Sequence, residues 1–198
     1  MKKEKTLVVI KPDGIQRTLV GEIIGRLERV GLKLVGVKMV IPDSNLIKKH
    51  YTIDPEWVVK AGKKSIDSFI DKGEEPKTRD PKVAGEKILD VLEKYMTSGP
   101  VFVMVWQGAN SVGVVRKIVG QTEPMSSDVG TIRGDFVLDS YKFADVDGRA
   151  VRNLIHASGS VEEAEKEIYL WFDENEIINY RLVQEQIIYD VNLDGIIE

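Results

Sequence analysis

The sequence predicts an α+β fold: a ferredoxin-like four-stranded antiparallel sheet in βαββαβ order, covered by helices on one face, with an inserted helical hairpin. Two kinds of observation predict it. Short apolar runs at Thr6–Ile10, Leu32–Ile41, Val101–Trp106 and Leu154–Ile155 have the length of strands rather than helices. Between them stand stretches with apolar residues three and four apart, and Gly, Pro and Asp clusters mark the joints.

Taken in order, Leu7-Val8-Val9-Ile10 is a buried strand ended by Lys11-Pro12-Asp13-Gly14, which predicts a sharp turn with Lys11 at its entrance. An amphipathic helix from Thr18 carries Val20, Ile23, Ile24 and Leu27 on one face and stops at Gly31. After the second strand, Pro42-Asp43-Ser44 opens a short helix ending in His50-Tyr51; His50 is expected at the surface. Asp54-Pro55 and Asp80-Pro81 each pair an N-cap with a proline at the first helical position. They predict a helix around Trp57 and another with Ala84, Ile88, Val91, Leu92 and Tyr95 as its apolar stripe, the two forming an insertion at about residues 54–94. The charged stretch Asp71–Arg79 between them reads as an exposed loop.

Beyond the third strand, Asn110–Gly120 predicts a helix carrying Arg116. The segment from Gln121 through Gly130-Thr131-Ile132-Arg133-Gly134 reads as a loop that leaves Arg133 accessible. Val137–Ala150, with Asp139, Asp145 and Asp147, reads as a second insertion and an acidic surface loop; it lacks the spacing and terminal Glu of a calcium-binding loop. Arg152–Ser160 places His156 at the end of a short strand, and Ser160 with Glu163 forms a capping box for the last predicted helix. That helix buries Val161, Ala164, Ile168 and Trp171, with Glu167 flanking the stripe. The polar and apolar mixture that follows is expected to wrap the surface or a neighbouring subunit.

A chain of 198 residues is expected to form one domain, residues 1–198, with two insertions (54–94 and 137–150). The absence of cysteine excludes disulfides, thiolate nucleophiles and Cys-based zinc sites. A net charge of −4 argues against coating nucleic acid. The apolar run Thr6–Ile10 is too short for a signal segment or membrane span, so a cytoplasmic location is expected.

An imidazole with an ordinary pKa of about 6.5 is largely neutral at pH 7 and can attack phosphorus without a strong base. Read alone, His156 is better explained by a structural role, and Lys11 or Arg133 by solvated surface.

Five stretches in order resemble the nucleoside diphosphate kinase family. They are Thr6–Gly21 with Ile10-Lys11-Pro12-Asp13-Gly14, Ser98-Gly99-Pro100-Val101, Thr131–Phe136, Asn153-Leu154-Ile155-His156, and Ala164–Ile168 with Trp171-Phe172. The resemblance implies ping-pong transfer of the γ-phosphoryl group from a nucleoside triphosphate to a diphosphate through phosphorylated His156. It implies Lys11, Arg116 and Arg133 as cationic phosphate contacts, Thr122 and Tyr51 as hydroxyl contacts, and Asn153 as the sugar-hydroxyl contact. Glu167 is implied to hold the far nitrogen of His156. Mg²⁺ is implied to arrive on the nucleotide phosphates, with no dedicated metal site in the protein, and a homo-oligomer, a tetramer or hexamer of dimers, is implied. Many members carry Gly-Ser-Asp-Ser after the histidine, where this chain has Ala157-Ser158-Gly159-Ser160; the missing carboxylate implies an altered metal demand. Trp57 is placed to stack on the base or to fill the core of its helix. A scaffold that binds nucleotides with little or no turnover is the rival reading, and the complete set of polar residues speaks against it.

Overall fold

The computed structural model describes residues 3–189. Four strands, β1 (Lys3–Ile10), β2 (Lys33–Val40), β3 (Val101–Ala109) and β4 (Ile155–Ala157), form one antiparallel sheet in the order β2-β3-β1-β4. This is the predicted ferredoxin-like order. β1 is central, with Val9 opposite Val103 on one side and opposite His156 on the other.

Helices cover both faces, not one. On one side, α2 (Val20–Arg29) and α6 (Ser111–Val119) bring Ile23, Leu27, Val115 and Val119 onto Val8, Ile10, Met104 and Trp106. On the other, α3 (Ser44–Tyr51) and α9 (Val161–Trp171) bring Ile47, Ile168 and Trp171 onto Leu7, Val9, Val103 and Val105. The cause is legible in β1: Leu7 through Ile10 are all fully buried, so its apolar run has no solvent face to leave polar.

Three segments expected to be loops are short helices. Pro12–Gln16 forms α1, which opens on the proline directly after Lys11. Ile132–Phe136 forms α7, capped by Thr131 Oγ1, which accepts the Gly134 N–H at 3.0 Å. Tyr141–Asp147 forms α8, capped by Ser140 and closed by Gly148 in the left-handed region. Of the acidic residues before and within α8, two are structural: Arg149 bonds Asp139 (2.6 and 3.0 Å) and Asp147 (2.9 Å).

The hairpin is α4 (Trp57–Asp71) packed on α5 (Pro81–Met96). Asp80 caps α5 as expected, accepting the N–H of Lys82 at 2.8 Å. Asp54 does not cap α4; its carboxylate closes a turn onto Glu56 N–H, and the helix begins at Trp57. A Cβ at Gly62 would overlap the Pro81 carbonyl oxygen, and one at Gly85 would overlap that of Val58. The helices therefore touch backbone to backbone at two glycines. Gly62→Ala is expected to lose roughly 1–3 kcal/mol in urea unfolding despite alanine's better helix propensity. A neutral or stabilised variant would show that the two backbones are not in contact.

The segment after α9 wraps the chain's own sheet. Ile178 N–H bonds Val35 O at 2.7 Å, Tyr180 Oη bonds Leu34 O at 2.8 Å, and Lys3 pairs with Glu185 at 2.7 Å. The remainder of the expected wrapping segment, 190–198, lies outside the described residues, as do Met1 and Lys2. No described helix is long and apolar enough to cross a membrane.

Candidate active site

β4 begins beside the last residue of β1, Ile155 opposite Ile10, and this junction gathers the polar side chains. Lys11 N–H bonds Leu154 O at 2.9 Å, so the main chain just before the histidine is tied to the end of β1. Leu154 itself sits at φ +68°, a conformation a branched residue adopts only under constraint.

Arg133 supplies much of that constraint. It was expected to be accessible but is 3% exposed. Its Nε donates to Asn153 O (3.1 Å), Nη2 to Ile155 O (2.5 Å), and Nη1 to Gly120 O (3.2 Å) and Gln121 O (2.8 Å). The guanidinium thus holds the two carbonyls that bracket Leu154 and fastens them to the loop after α6. Burial, then the nearby Arg116 charge, lowers its pKa to about 10. Arg116 itself is exposed on α6.

Lys11 is also buried, 4% exposed. Its ammonium donates to Asn153 Oδ1 at 2.6 Å and lies 5.1 Å from the centre of the Tyr95 ring. Asn153 in turn donates through Nδ2 to the Thr122 carbonyl at 3.0 Å, so the Thr122 backbone is held while its side chain stays exposed. Burial and the Arg133 charge push the Lys11 pKa down to about 7, against the pull of Asp13. Tyr95, read from its spacing as a core residue of α5, donates to Asp13 at 2.5 Å.

His156 lies on β4 opposite Val9, which is two residues before Lys11, and its side chain is 17% exposed. Its Nε2 is 2.7 Å from Glu167 Oε1. Glu167 lies inside the stripe of α9 rather than on its flank, 1% exposed, and its Oε2 accepts from Ser158 Oγ at 2.5 Å. Burial alone would raise the Glu167 pKa; the His156 and His50 rings and the Ser158 hydroxyl outweigh it and lower the value. A carboxylate is acceptor only, so His156 presents Nε2–H to it, which leaves Nδ1 as the nitrogen with a free lone pair.

His50 is the largest correction to the expectation from sequence. It is 4% exposed, and its ring stands edge-on to His156 with centroids 4.5 Å apart. The spacing held the signal: His50 follows Ile47 by three residues and Leu46 by four, so all three share the buried face of α3. Tyr51 stands next to it, its pKa raised by burial and by the Glu167 charge. Trp57 neither stays free nor enters a core cluster; half-buried, it lies 5.3 Å from the Tyr51 ring.

The capping box at α9 is shifted by one residue. Ser160 Oγ accepts the Glu163 N–H at 3.1 Å, but the Glu163 carboxylate takes the Gly159 N–H at 2.9 Å. Glu163 Oε2 lies 2.6 Å from where a Cβ on Gly159 would be, so a carboxylate stands beside position 159 although the residue there has none.

Among the described residues, the one group of three or more His, Asp or Glu side chains close enough to share an ion is His50, His156 and Glu167. Two imidazoles and one carboxylate do not suit Mg²⁺, which takes oxygen ligands in octahedral geometry.

The His156 imidazole is thus backed by a buried carboxylate, and two buried cations, Lys11 and Arg133, are held at the same β1–β4 junction. A sequence model described as nucleoside diphosphate kinase matches residues 4–60 and 81–177. The chain belongs to the nucleoside diphosphate kinase family. Residues 61–80, the larger part of α4 and the loop after it, fall outside that match. A nucleoside diphosphate kinase of Pyrobaculum aerophilum is 47% identical over 182 residues, which cover 90% of this chain and all of the relative. The crystal structure of an NDP kinase from that organism superposes with a TM-score of 0.86 at 46% identity, over 90% of this chain and 100% of the other. A Borrelia burgdorferi enzyme, solved as a transition-state mimic with vanadate and ADP, matches with a TM-score of 0.75 at 38% identity, over 93% and 96% of the two chains. A Halobacterium salinarum enzyme in complex with CDP matches at 0.70 and 34%, over 96% and 100%. The chain is a phosphotransferase of this family.

Proposed function

We propose that His156 carries the phosphoryl group between nucleotides, and that Lys11, Arg116, Arg133, Thr122, Tyr51 and Asn153 hold the nucleotide for that transfer. The observation that carries this reading is the 2.7 Å contact between His156 Nε2 and the buried Glu167, which directs the Nδ1 lone pair away from the carboxylate. In the first half-reaction Nδ1 attacks the γ-phosphorus of a triphosphate. The bond to the β,γ-bridging oxygen breaks, and the diphosphate leaves with that electron pair. The proton on Nε2 stays in place, so the phosphorylated ring is cationic beside the Glu167 anion. A terminal oxygen of a second diphosphate then attacks the same phosphorus, and the electron pair returns to Nδ1.

Charge does most of the work in such a loose transition state. Arg133 has most of its donors committed to backbone carbonyls, so it contributes charge and rigidity more than a two-bond clamp. Lys11, buried but with one hydrogen bond to Asn153 from an ammonium of three donors, and the exposed Arg116 are left with more donors for phosphate. Mg²⁺ carried in on the phosphates supplies further neutralisation. Trp57 at the start of α4 is tilted 42° against the Tyr51 ring, and in this reading its face meets a base, which favours broad base tolerance. Binding of ADP and CDP by the two structural relatives supports that breadth.

The test is incubation with γ-labelled ATP and Mg²⁺. Acid-labile, base-stable label on the protein that leaves as labelled GTP when GDP is added supports the relay. ATP binding without label removes it and leaves a nucleotide-binding scaffold.

Lys11 gives a separate expectation. Its pKa is about 7 in the free protein, so above pH 7 it is largely neutral, and a bound phosphate anion raises the value. Nucleotide binding near pH 8 is therefore expected to take up a proton, seen by calorimetry in buffers of different ionisation heat. Lys11→Met removes that uptake. Binding with no buffer dependence in the wild type would refute it.

A homo-oligomer is part of the same reading, and its support is an apolar edge. β2 lies at the edge of the sheet, and Val37, Met39 and, just beyond the strand, Ile41 are 48%, 62% and 74% exposed. Such a row suits pairing with a second copy. A cytoplasmic location, where nucleotide pools are balanced, completes the proposal.

A further inference from the structure

We propose that Trp171 and His50 form a tautomer lock that reserves the Glu167 carboxylate for His156. The inference rests on the phosphohistidine reading and assigns positioning roles to two residues that reading does not use.

Trp171 lies four residues after Glu167 on α9, so both side chains face α3 across the same interface. Its indole Nε1–H is 3.2 Å from His50 Nδ1. An indole nitrogen only donates, so His50 Nδ1 must hold a lone pair, and the proton of the neutral ring sits on Nε2. That Nε2 is buried with no hydrogen-bond partner. A buried donor left alone is costly, and the ring is held in this form all the same.

The opposite tautomer shows what the lock prevents. His50 Nδ1 lies 3.6 Å from Glu167 Oε1, the same oxygen that receives His156 Nε2 at 2.7 Å. With a proton on Nδ1, His50 would aim a second donor at that oxygen after a shift of less than an ångström. It would then compete with the nucleophile for the carboxylate and weaken the contact that holds Nδ1 of His156 free. The Trp171 N–H bars that state, since it would face another N–H.

The charged groups around His50 divide over a second proton on the ring. His156 on β4 and Lys11 at the end of β1 disfavour a second proton, while Glu167 on α9 favours one; Tyr51 on its own helix is uncharged near neutrality. Burial decides among them and pushes the His50 pKa down to about 3, so the ring remains neutral over the working range.

The decisive experiment is ¹⁵N NMR of histidine-labelled wild type from pH 5 to 8. The chain has two histidines, and His50→Phe identifies which signals belong to His50. The expected spectrum shows His50 protonated on Nε2 and bare on Nδ1 throughout. Trp171→Phe is expected to move the proton to Nδ1 and to slow His156 phosphorylation about tenfold, with KM for ATP within about twofold. Adding His50→Phe to Trp171→Phe removes the competitor and is expected to bring the rate within about threefold of the His50→Phe protein, a non-additive cycle. A wild-type His50 protonated on Nδ1 overturns the proposal, and so does a cycle in which the two losses simply multiply. If Trp171→Phe does not fold, the wild-type spectrum alone decides. A protein that takes no label from ATP would sink the phosphorelay reading, whereas a wrong tautomer sinks only the lock.

Discussion

His156→Ala is expected to take no label from γ-labelled ATP and to lose turnover by about 10⁴-fold or more, down to background. No other described side chain can replace the nitrogen. His50 is the nearest imidazole, but its Nδ1 is turned to Trp171 and its Nε2 carries the proton. The backbone of β4 pairs with β1 through its main chain, so the strand itself does not depend on the imidazole. Glu167, however, loses its partner and keeps only Ser158, and loss of a hydrogen bond to a buried charge costs roughly 1.5–3 kcal/mol. His156→Asn separates the two effects. Its amide can still donate toward Glu167, so it is expected to recover part of the stability and none of the labelling. Label on either variant would place the phosphoryl group on a different residue.

Where the fold was legible, a short stretch carried both the element and its environment. Leu7–Ile10 announced a buried strand, and its lack of alternation already implied cover on both faces, although a ferredoxin-like sheet suggested one. Asp80-Pro81 marked a helix start correctly because cap and proline act on adjacent residues. Asp54-Pro55 misled, because the same pair also closes a turn, and only the chain beyond decides between them. The helices α1 and α7, five residues each, are too short for any periodicity to show. α8 had Ser140 and Gly148 at its ends, but Asp139, Asp145 and Asp147 drew attention to charge instead of to caps. The site divides in the same way. His156 and Glu167 were legible through motif order, and His50 was legible through its spacing from Ile47. The burial of Arg133 was not legible at all. Its partners are carbonyls from two separate stretches of chain, and they converge only when α6, α7 and β4 have packed.

Glu167→Gln removes a charge and almost nothing else, and it is expected to lower kcat about 10²-fold while leaving KM for ATP within about twofold. The amide oxygen can still accept His156 Nε2–H, and the Ser158 hydroxyl can turn to accept from the amide nitrogen. Ring orientation is therefore kept, and what disappears is the anion opposite the cationic phosphorylated ring. The effect belongs to phosphorylation of His156, so the rate of label uptake should fall while nucleotide affinity does not. The sign of the pH effect follows from the same carboxylate. Its pKa is lowered on folding, so its contribution is complete above the unfolded value of about 4.3 and is lost as pH falls through the lower folded value. Thermal unfolding of the wild type below about pH 4.3 is expected to lose stability faster than that of Glu167→Gln, and the two curves should run parallel above it. A variant with full kcat would mean that the carboxylate only orients the ring. Parallel curves down to the lowest pH would mean that folding leaves the Glu167 pKa where it was.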